Sequence, residues 1–126
     1  MLKTETLIDL ALQSPATQHK VAAATYNKKG RLLSTAWNMP SKSHPIQAQY
    51  ASRVGQPARI NLHAEILALI RAQENVYSIQ VIRIGRDSLL PKPSFPCHIC
   101  MGYILDSDVR EIYFHNQNSQ LEIYSL

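Results

Sequence analysis

Apolar and polar positions alternate with two different periods along the N-terminal third of the chain. Apolar residues recur at helical spacing over residues 4–14, and Ser14-Pro15 closes the segment, which predicts an amphipathic helix. The stretches "HKVAAATYN" and "RLLSTAWN" are strand-like and flank the glycine-containing turn "KKG". They predict two antiparallel strands joined as a hairpin.

The remaining residues alternate between helical and strand patterns. Residue types and periodicity favour helices over 44–55, 63–75 and 97–107, and strands over 78–85 and 109–115. Strands joined by a helical crossover run parallel, so the second hairpin strand and the next two strands should share one direction. The tail "LEIYSL" follows too soon for a crossover; if it is a strand, it should return antiparallel. The expected fold is an α/β sandwich with a mixed sheet.

Composition limits the class of protein. The chain has 126 residues, 45% hydrophobic and 17% charged, which predicts a single globular domain over 1–126 rather than disorder. None of its apolar runs approaches the length of about 18 residues that a membrane span needs. The N-terminus carries Glu5 and Asp9 and lacks the cationic start of a signal peptide, so we expect a cytoplasmic protein with no membrane partner. A formal charge of +4 weakly favours anionic partners.

The only two cysteines lie in "FPCHIC", as Cys97 and Cys100. In a reducing compartment this spacing indicates a metal or redox element rather than a structural disulfide. At the start of a helix the two thiols face the same way, and the helix N-terminus lowers their pKa. Zinc takes four ligands, so at least one more has to come from elsewhere in the chain.

A third ligand is found most readily in "LHAEIL". His63 also opens a predicted helix, and helices that follow parallel strands begin at the same edge of the sheet. His63, Cys97 and Cys100 should therefore converge and leave one zinc position open, which is typical of catalytic sites. Glu65 follows the histidine by two residues and is suited to moving protons. A zinc-stabilised structural module or a redox pair is the non-enzymatic alternative, and neither needs such a carboxylate.

The motif pair His-x-Glu and Pro-Cys-x-x-Cys is the signature of zinc deaminases, and it occurs as "HAE" at 63–65 and "PCHIC" at 96–100. The chain resembles the cytidine/deoxycytidylate deaminase superfamily over nearly its whole length. With "SKSHP" before the helix, it is most similar to small deoxycytidylate-deaminase-like proteins of phages and bacteria. The resemblance implies a three-layer α/β/α cytidine-deaminase-like sandwich and hydrolytic deamination of a base with release of ammonia.

The resemblance also implies roles for particular residues. His63, Cys97 and Cys100 would bind Zn²⁺, and Glu65 would be the catalytic proton shuttle. The substrate-binding positions matched by the family pattern are Asn38, Ala64, Ser94 and Phe95. Relatives with this layout complete the pocket with loops of a neighbouring subunit, so we expect a homo-oligomer.

The expected substrate is a free cytosine nucleotide, with deoxycytidine monophosphate favoured. A histidine as first zinc ligand is typical of the nucleotide-acting groups, and the long segment 38–62 carries cations that could meet a phosphate: Lys42, His44, Arg53 and Arg59. The short tail resembles the free-cytidine group instead, which keeps a nucleoside substrate as an alternative. A polynucleotide substrate, with cytosine or adenine as target, is disfavoured because few aromatics are left to line a basic groove.

Overall fold

Four helices and five strands follow one another in the computed structural model, which describes residues 1–126. In chain order they are α1 (Thr4–Ala11), β1 (Lys20–Tyr26), β2 (Leu32–Trp37), α2 (Pro45–Arg53), α3 (Ala64–Arg71), β3 (Ser78–Ile84), α4 (His98–Asp106), β4 (Glu111–His115) and β5 (Leu121–Ser125). The longest helices have nine residues, and no helix is long and apolar enough to cross a bilayer.

The strands form one mixed sheet in the order β2-β1-β3-β4-β5. Strand β1 pairs antiparallel with both β2 and β3, whereas β3 and β4 pair parallel across the α4 crossover. Strands β2, β3 and β4 therefore point the same way, and β5 returns antiparallel to β4. The α/β fold, the hairpin, the shared strand direction and the antiparallel tail are confirmed.

Two apolar cores lie on opposite faces of the sheet and define the three layers. Alternate residues of β1 face opposite ways: Ala22 and Ala24 pack with α1, whereas Ala23 belongs to the core beneath α3 and α4. All three alanines are completely buried. Their small side chains let helices approach this interior strand closely from both sides, which holds the start of α3 against the sheet.

The helices are shorter than the sequence pattern predicted. Helix α1 ends at Ala11 rather than near Ser14, because the amides of Gln13 and Ser14 turn back to the carbonyls of Leu10 and Ala11. The buried Ser14 hydroxyl then donates to the carbonyl of Asn38 at 2.8 Å. This bond ties the end of α1 to the end of β2, beside the site described next.

Candidate active site

The two helices that carry the sequence motifs begin one residue later than their motif side chains. His63 and Cys97 are the residues before the first turns of α3 and α4, and both have extended backbone, with φ of −83° and −69°. Neither side chain caps its own helix. Because they are not used for capping, the imidazole and the thiol remain available to each other and to Cys100, one turn into α4.

The three predicted metal donors converge. The donor atoms of His63, Cys97 and Cys100 all lie within 4.8 Å of one another. His63 Nδ1 is 3.2 Å from Cys100 Sγ and 3.6 Å from Cys97 Sγ. A tetrahedral zinc with bonds of about 2.1 Å to nitrogen and 2.3 Å to sulfur holds such atoms about 3.6 Å apart. The donor set therefore fits Zn²⁺, and the cluster has no fourth protein donor.

The two thiols differ in environment and in proton affinity. Cys97 is exposed, whereas Cys100 is buried. The hydrogen bond with Cys100 is the main reason that the pKa of Cys97 falls to about 3. The same bond, together with burial, raises the pKa of Cys100 well above its ordinary value. Cys97 is thus the more acidic of the two thiols, and a metal ion would displace the proton of Cys100.

Glu65 is the acidic residue closest in sequence to the metal donors, in the first turn of α3. Its side chain is buried and is not one of the three clustered donors. Desolvation raises the pKa of this carboxyl, although the charge of His63 opposes the shift. A buried carboxyl with a raised pKa keeps its proton to a higher pH than an exposed one, which is the kind of shift found in general acid–base groups.

Gln47 of α2 supports the metal site, and sequence reasoning missed it. Its Oε1 accepts a hydrogen bond from the backbone amide of His63 at 3.1 Å, and its Nε2 donates to the carbonyl of Arg59 at 3.5 Å. The side chain is completely buried. A usable signal existed: Gln47 shares the buried stripe of α2 with Tyr50 and Ala51, so it is a polar residue on an apolar face.

A cavity of about 340 Å³ opens beside the metal donors. Its wall includes all four residues that the sequence matched to substrate positions: Asn38, Ala64, Ser94 and Phe95. Two of the three metal donors, His63 and Cys97, and the carboxylate residue Glu65 also line it. The volume is at the lower end of the range for small-molecule sites, about 300–1,000 Å³. The arrangement suits one small ligand beside a metal ion.

The polar side chains of this wall are held by the sheet. The Asn38 amide accepts from the Val21 backbone at 3.0 Å and donates to the carbonyl of His19 at 3.0 Å. The Ser94 hydroxyl donates to the carbonyl of Val81 and accepts from the amide of His115, both at 2.9 Å. Both side chains are therefore fixed in place, and neither has its full bonding capacity free for a ligand.

Phe95 presents an aromatic surface to the cavity. The residue is 42% exposed, and its ring makes edge contacts with Phe114 and Tyr124, at centroid distances of 5.0 and 5.4 Å. Phe95 is the one Phe, Tyr or Trp in the cavity wall. A planar base could stack there, but the wall offers no second aromatic for a neighbouring base.

The cations near the cavity differ from those that the sequence suggested. Arg53 pairs with Asp106 at 2.7 Å and lies over the Tyr50 ring, and the His44 side chain caps α2. Of the four loop cations considered, only Arg59 lines the cavity, and His19 and Arg83 join it there. Sequence reasoning missed His19 and Arg83 as cavity residues. No motif marks His19, which precedes β1, and Arg83 lies within β3, where an inward-facing cation is not expected.

Two helix starts that bring an imidazole and two thiols together at the edge of an α/β sheet, with a buried carboxyl alongside, define a metal-dependent hydrolase site. A family model described as "Cytidine and deoxycytidylate deaminase zinc-binding region" matches residues 3–116. The chain belongs to this family: it is a zinc-dependent hydrolytic deaminase, with His63, Cys97 and Cys100 positioned to bind the metal. Sequence comparison with curated proteins gives no match.

Proposed function

We propose that the protein converts the cytosine of a free nucleotide, with deoxycytidine monophosphate favoured, to the uracil product with release of ammonia. The observation that carries this proposal is the single cavity wall that combines metal donors, Glu65, one aromatic ring and three basic side chains. Its volume suits one nucleotide, and its cations suit an anionic group on that nucleotide. The partner is thus a small molecule.

The residues divide the chemistry between them. His63, Cys97 and Cys100 would hold Zn²⁺, which would supply Lewis-acid chemistry that makes water nucleophilic enough to attack the amidine carbon of the base. Glu65 accepts a proton from that water and delivers it to the base. The oxygen stays on the ring carbon, and the amino group leaves as ammonia. The raised pKa of Glu65 supports both directions of proton transfer.

The substrate contacts are proposed on the same basis. The amide of Ala64 lies in the first turn of α3, where an N–H has no partner within the helix and can donate to a polar atom of the base. Phe95 offers its exposed ring face. Asn38 retains one amide hydrogen beyond its two backbone bonds, and Ser94 lines the same cavity. These groups would orient the base without moving protons.

The alternative substrates make different demands on the surface. A polynucleotide enzyme would stack successive bases on several aromatic rings along a basic groove, and here Phe95 is the one such ring in the cavity. A nucleoside enzyme would have no use for the cations of the wall. Each alternative predicts a different best substrate, so an assay that compares nucleosides, monophosphates and an oligonucleotide distinguishes them.

The test is ammonia release from matched compounds by the zinc-loaded protein. The panel contains cytidine, deoxycytidine, their monophosphates, adenosine compounds and a cytosine-containing single-stranded oligonucleotide. We expect the highest kcat/KM for deoxycytidine monophosphate and only background rates for the Glu65→Ala variant. A higher value for the oligonucleotide would replace the mononucleotide proposal, and equal values for nucleoside and monophosphate would remove the preference for a phosphate.

We also propose that residues 1–126 act as one domain that assembles as a homo-oligomer. Strand β5 is exposed along its whole length, and Leu121 and Ile123 are 53% and 56% exposed at the edge of the sheet. Unpaired edges with apolar side chains favour association, and a second copy offers the same edge. Sedimentation at micromolar concentration tests this, and an active monomer would contradict it. Because zinc binding needs both thiols reduced, we infer a cytoplasmic location.

A further inference from the structure

Arg83 interrupts a row of buried apolar side chains on the face of β3 that lines the cavity. Ile79 and Val81 precede it on this face, at 0% and 2% exposure. Arg83 pairs in register with Val21 of β1, which also lines the cavity. An arginine at a position where the pattern calls for valine or isoleucine needs a compensating partner, because a partly buried charge without one is costly.

The protein supplies little of that compensation. The Arg83 guanidinium contacts the carbonyl of Pro93 at 3.5 Å and the ring nitrogens of His19 at 3.2 and 3.3 Å, and its buried Nε has no hydrogen-bond partner. No carboxylate pairs with it, since the two ion pairs of the chain are Arg31–Glu74 and Arg53–Asp106. The group has donors to spare and no counter-charge.

The neighbours of Arg83 do not neutralise its charge. Desolvation, and then the charges of Arg83 and Lys92, lower the pKa of His19, which favours its neutral form, and Lys92 is itself a cation. Arg59 lines the same cavity, where Glu65 is the one carboxylate of the wall, next to the metal donors. The cavity thus has an acidic group near the metal and an unbalanced basic group elsewhere, which is the charge distribution expected for a ligand with an anionic end.

We propose that Arg83, with His19 and Arg59, binds the phosphate monoester of the nucleotide substrate and sets the preference for a nucleotide over a nucleoside. This inference rests on the proposed function, and it moves phosphate recognition from the loop cations suggested by sequence to the face of β3. A guanidinium matches the planar spacing of phosphate oxygens, and the dianionic monoester attracts it more strongly than a phosphodiester does.

The kinetic test compares substrates within each variant. In Arg83→Gln, we expect the ratio of kcat/KM for deoxycytidine monophosphate over deoxycytidine to fall roughly ten- to a hundred-fold, the value of a charge-assisted contact. His19→Gln should lower the same ratio by less. Arg53→Gln is the matched control, because Arg53 is engaged by Asp106 outside the cavity, and it should keep the wild-type ratio. If Arg83→Gln does not fold, the ratio measured for His19→Gln tests the inference, and an unchanged ratio would contradict it.

A binding measurement separates this inference from the proposed function. Calorimetry on the zinc-loaded protein compares deoxyuridine monophosphate with deoxyuridine, and we expect the monophosphate to bind at least about tenfold more tightly, with the difference lost in Arg83→Gln. If no cytosine compound is deaminated but this difference is found, the proposed function fails and the phosphate site stands. Equal losses for monophosphate and nucleoside, or an oligonucleotide preference that depends on Arg83, would overturn the inference.

Discussion

Replacing Ser94 with alanine tests whether this side chain holds the cavity wall or binds substrate. The hydroxyl joins two strands, because it donates to the carbonyl of Val81 in β3 and accepts from the amide of His115 in β4. Ser94 is 5% exposed, so the two hydrogen bonds of its hydroxyl are largely shielded from bulk solvent. The segment that it anchors runs directly into Cys97, and its loosening should affect both stability and catalysis.

The expected cost follows from the group left without a partner. A buried amide that loses its acceptor destabilises the folded state by about 1–3 kcal/mol. For a domain of this size each kcal/mol lowers the melting temperature by about 3–5 °C, so Ser94→Ala should melt roughly 3–15 °C below the wild type. A loss of about 1–3 kcal/mol is a large share of a typical unfolding free energy of about 5–15 kcal/mol.

Calorimetric melting and steady-state kinetics of the zinc-loaded variants provide the measurement. The matched control is Ser88→Ala, which removes a hydroxyl that accepts from the Leu90 amide at 3.0 Å in an exposed loop. It should change stability by less than about 0.5 kcal/mol. If Ser94→Ala melts together with the wild type and only KM rises, the hydroxyl contacts substrate and the anchoring role is refuted.

Three further substitutions probe the metal, the proton shuttle and the stability at low pH. Gln47→Ala leaves the His63 amide without its acceptor and should weaken zinc binding roughly 10–100-fold in competition with a chelator, whereas Gln49→Ala, on the exposed face of the same helix, should not. Glu65→Ala should keep one zinc per chain by metal analysis and lose about 10²–10⁴-fold in turnover; loss of the metal would reject the shuttle role. Burial lowers the pKa of His115, whose Nδ1 has no partner, so below about pH 6.5 the unfolded chain takes up this proton first and stability falls. Denaturant unfolding at pH 7 and 5.5 should show a smaller fall for His115→Gln, and an identical fall would exclude His115 as a cause.

The elements and their directions could be predicted because they depend on local periodicity and on the length of the connections. The "KKG" turn and the alternation in β1 define the hairpin, and the short stretch between β4 and β5 leaves only an antiparallel return. The metal donors could be predicted for the same reason, because His63 and Cys97 both lie at helix starts on one edge of a sheet. The prediction of zinc as cofactor is confirmed, and the three donors are positioned to bind a metal ion.

The rest depends on contacts between residues far apart in the chain. Gln47 supports His63 from 16 residues away, and Arg83 meets His19 across 64. No local period marks such pairs, although each places a polar residue on an otherwise apolar face. Helix ends were also overestimated, since the bond from Ser14 to the carbonyl of Asn38 replaces a further turn of α1.

The contact between Tyr124 and Phe95 links the C-terminal strand to the cavity wall. The family match ends at residue 116, yet β5 lies beyond it and its tyrosine packs edge-on against the aromatic ring of the cavity wall. Phe95 is thus packed in part against a residue outside the family match, whereas every metal donor lies within it. An affinity tag joined after Leu126 would directly follow this strand and could disturb its packing. The backbone of Leu2 instead bonds the side chains of Tyr26 in β1 and Gln80 in β3, neither of which lines the cavity, so a tag joined ahead of Leu2 is the safer choice for measuring selectivity.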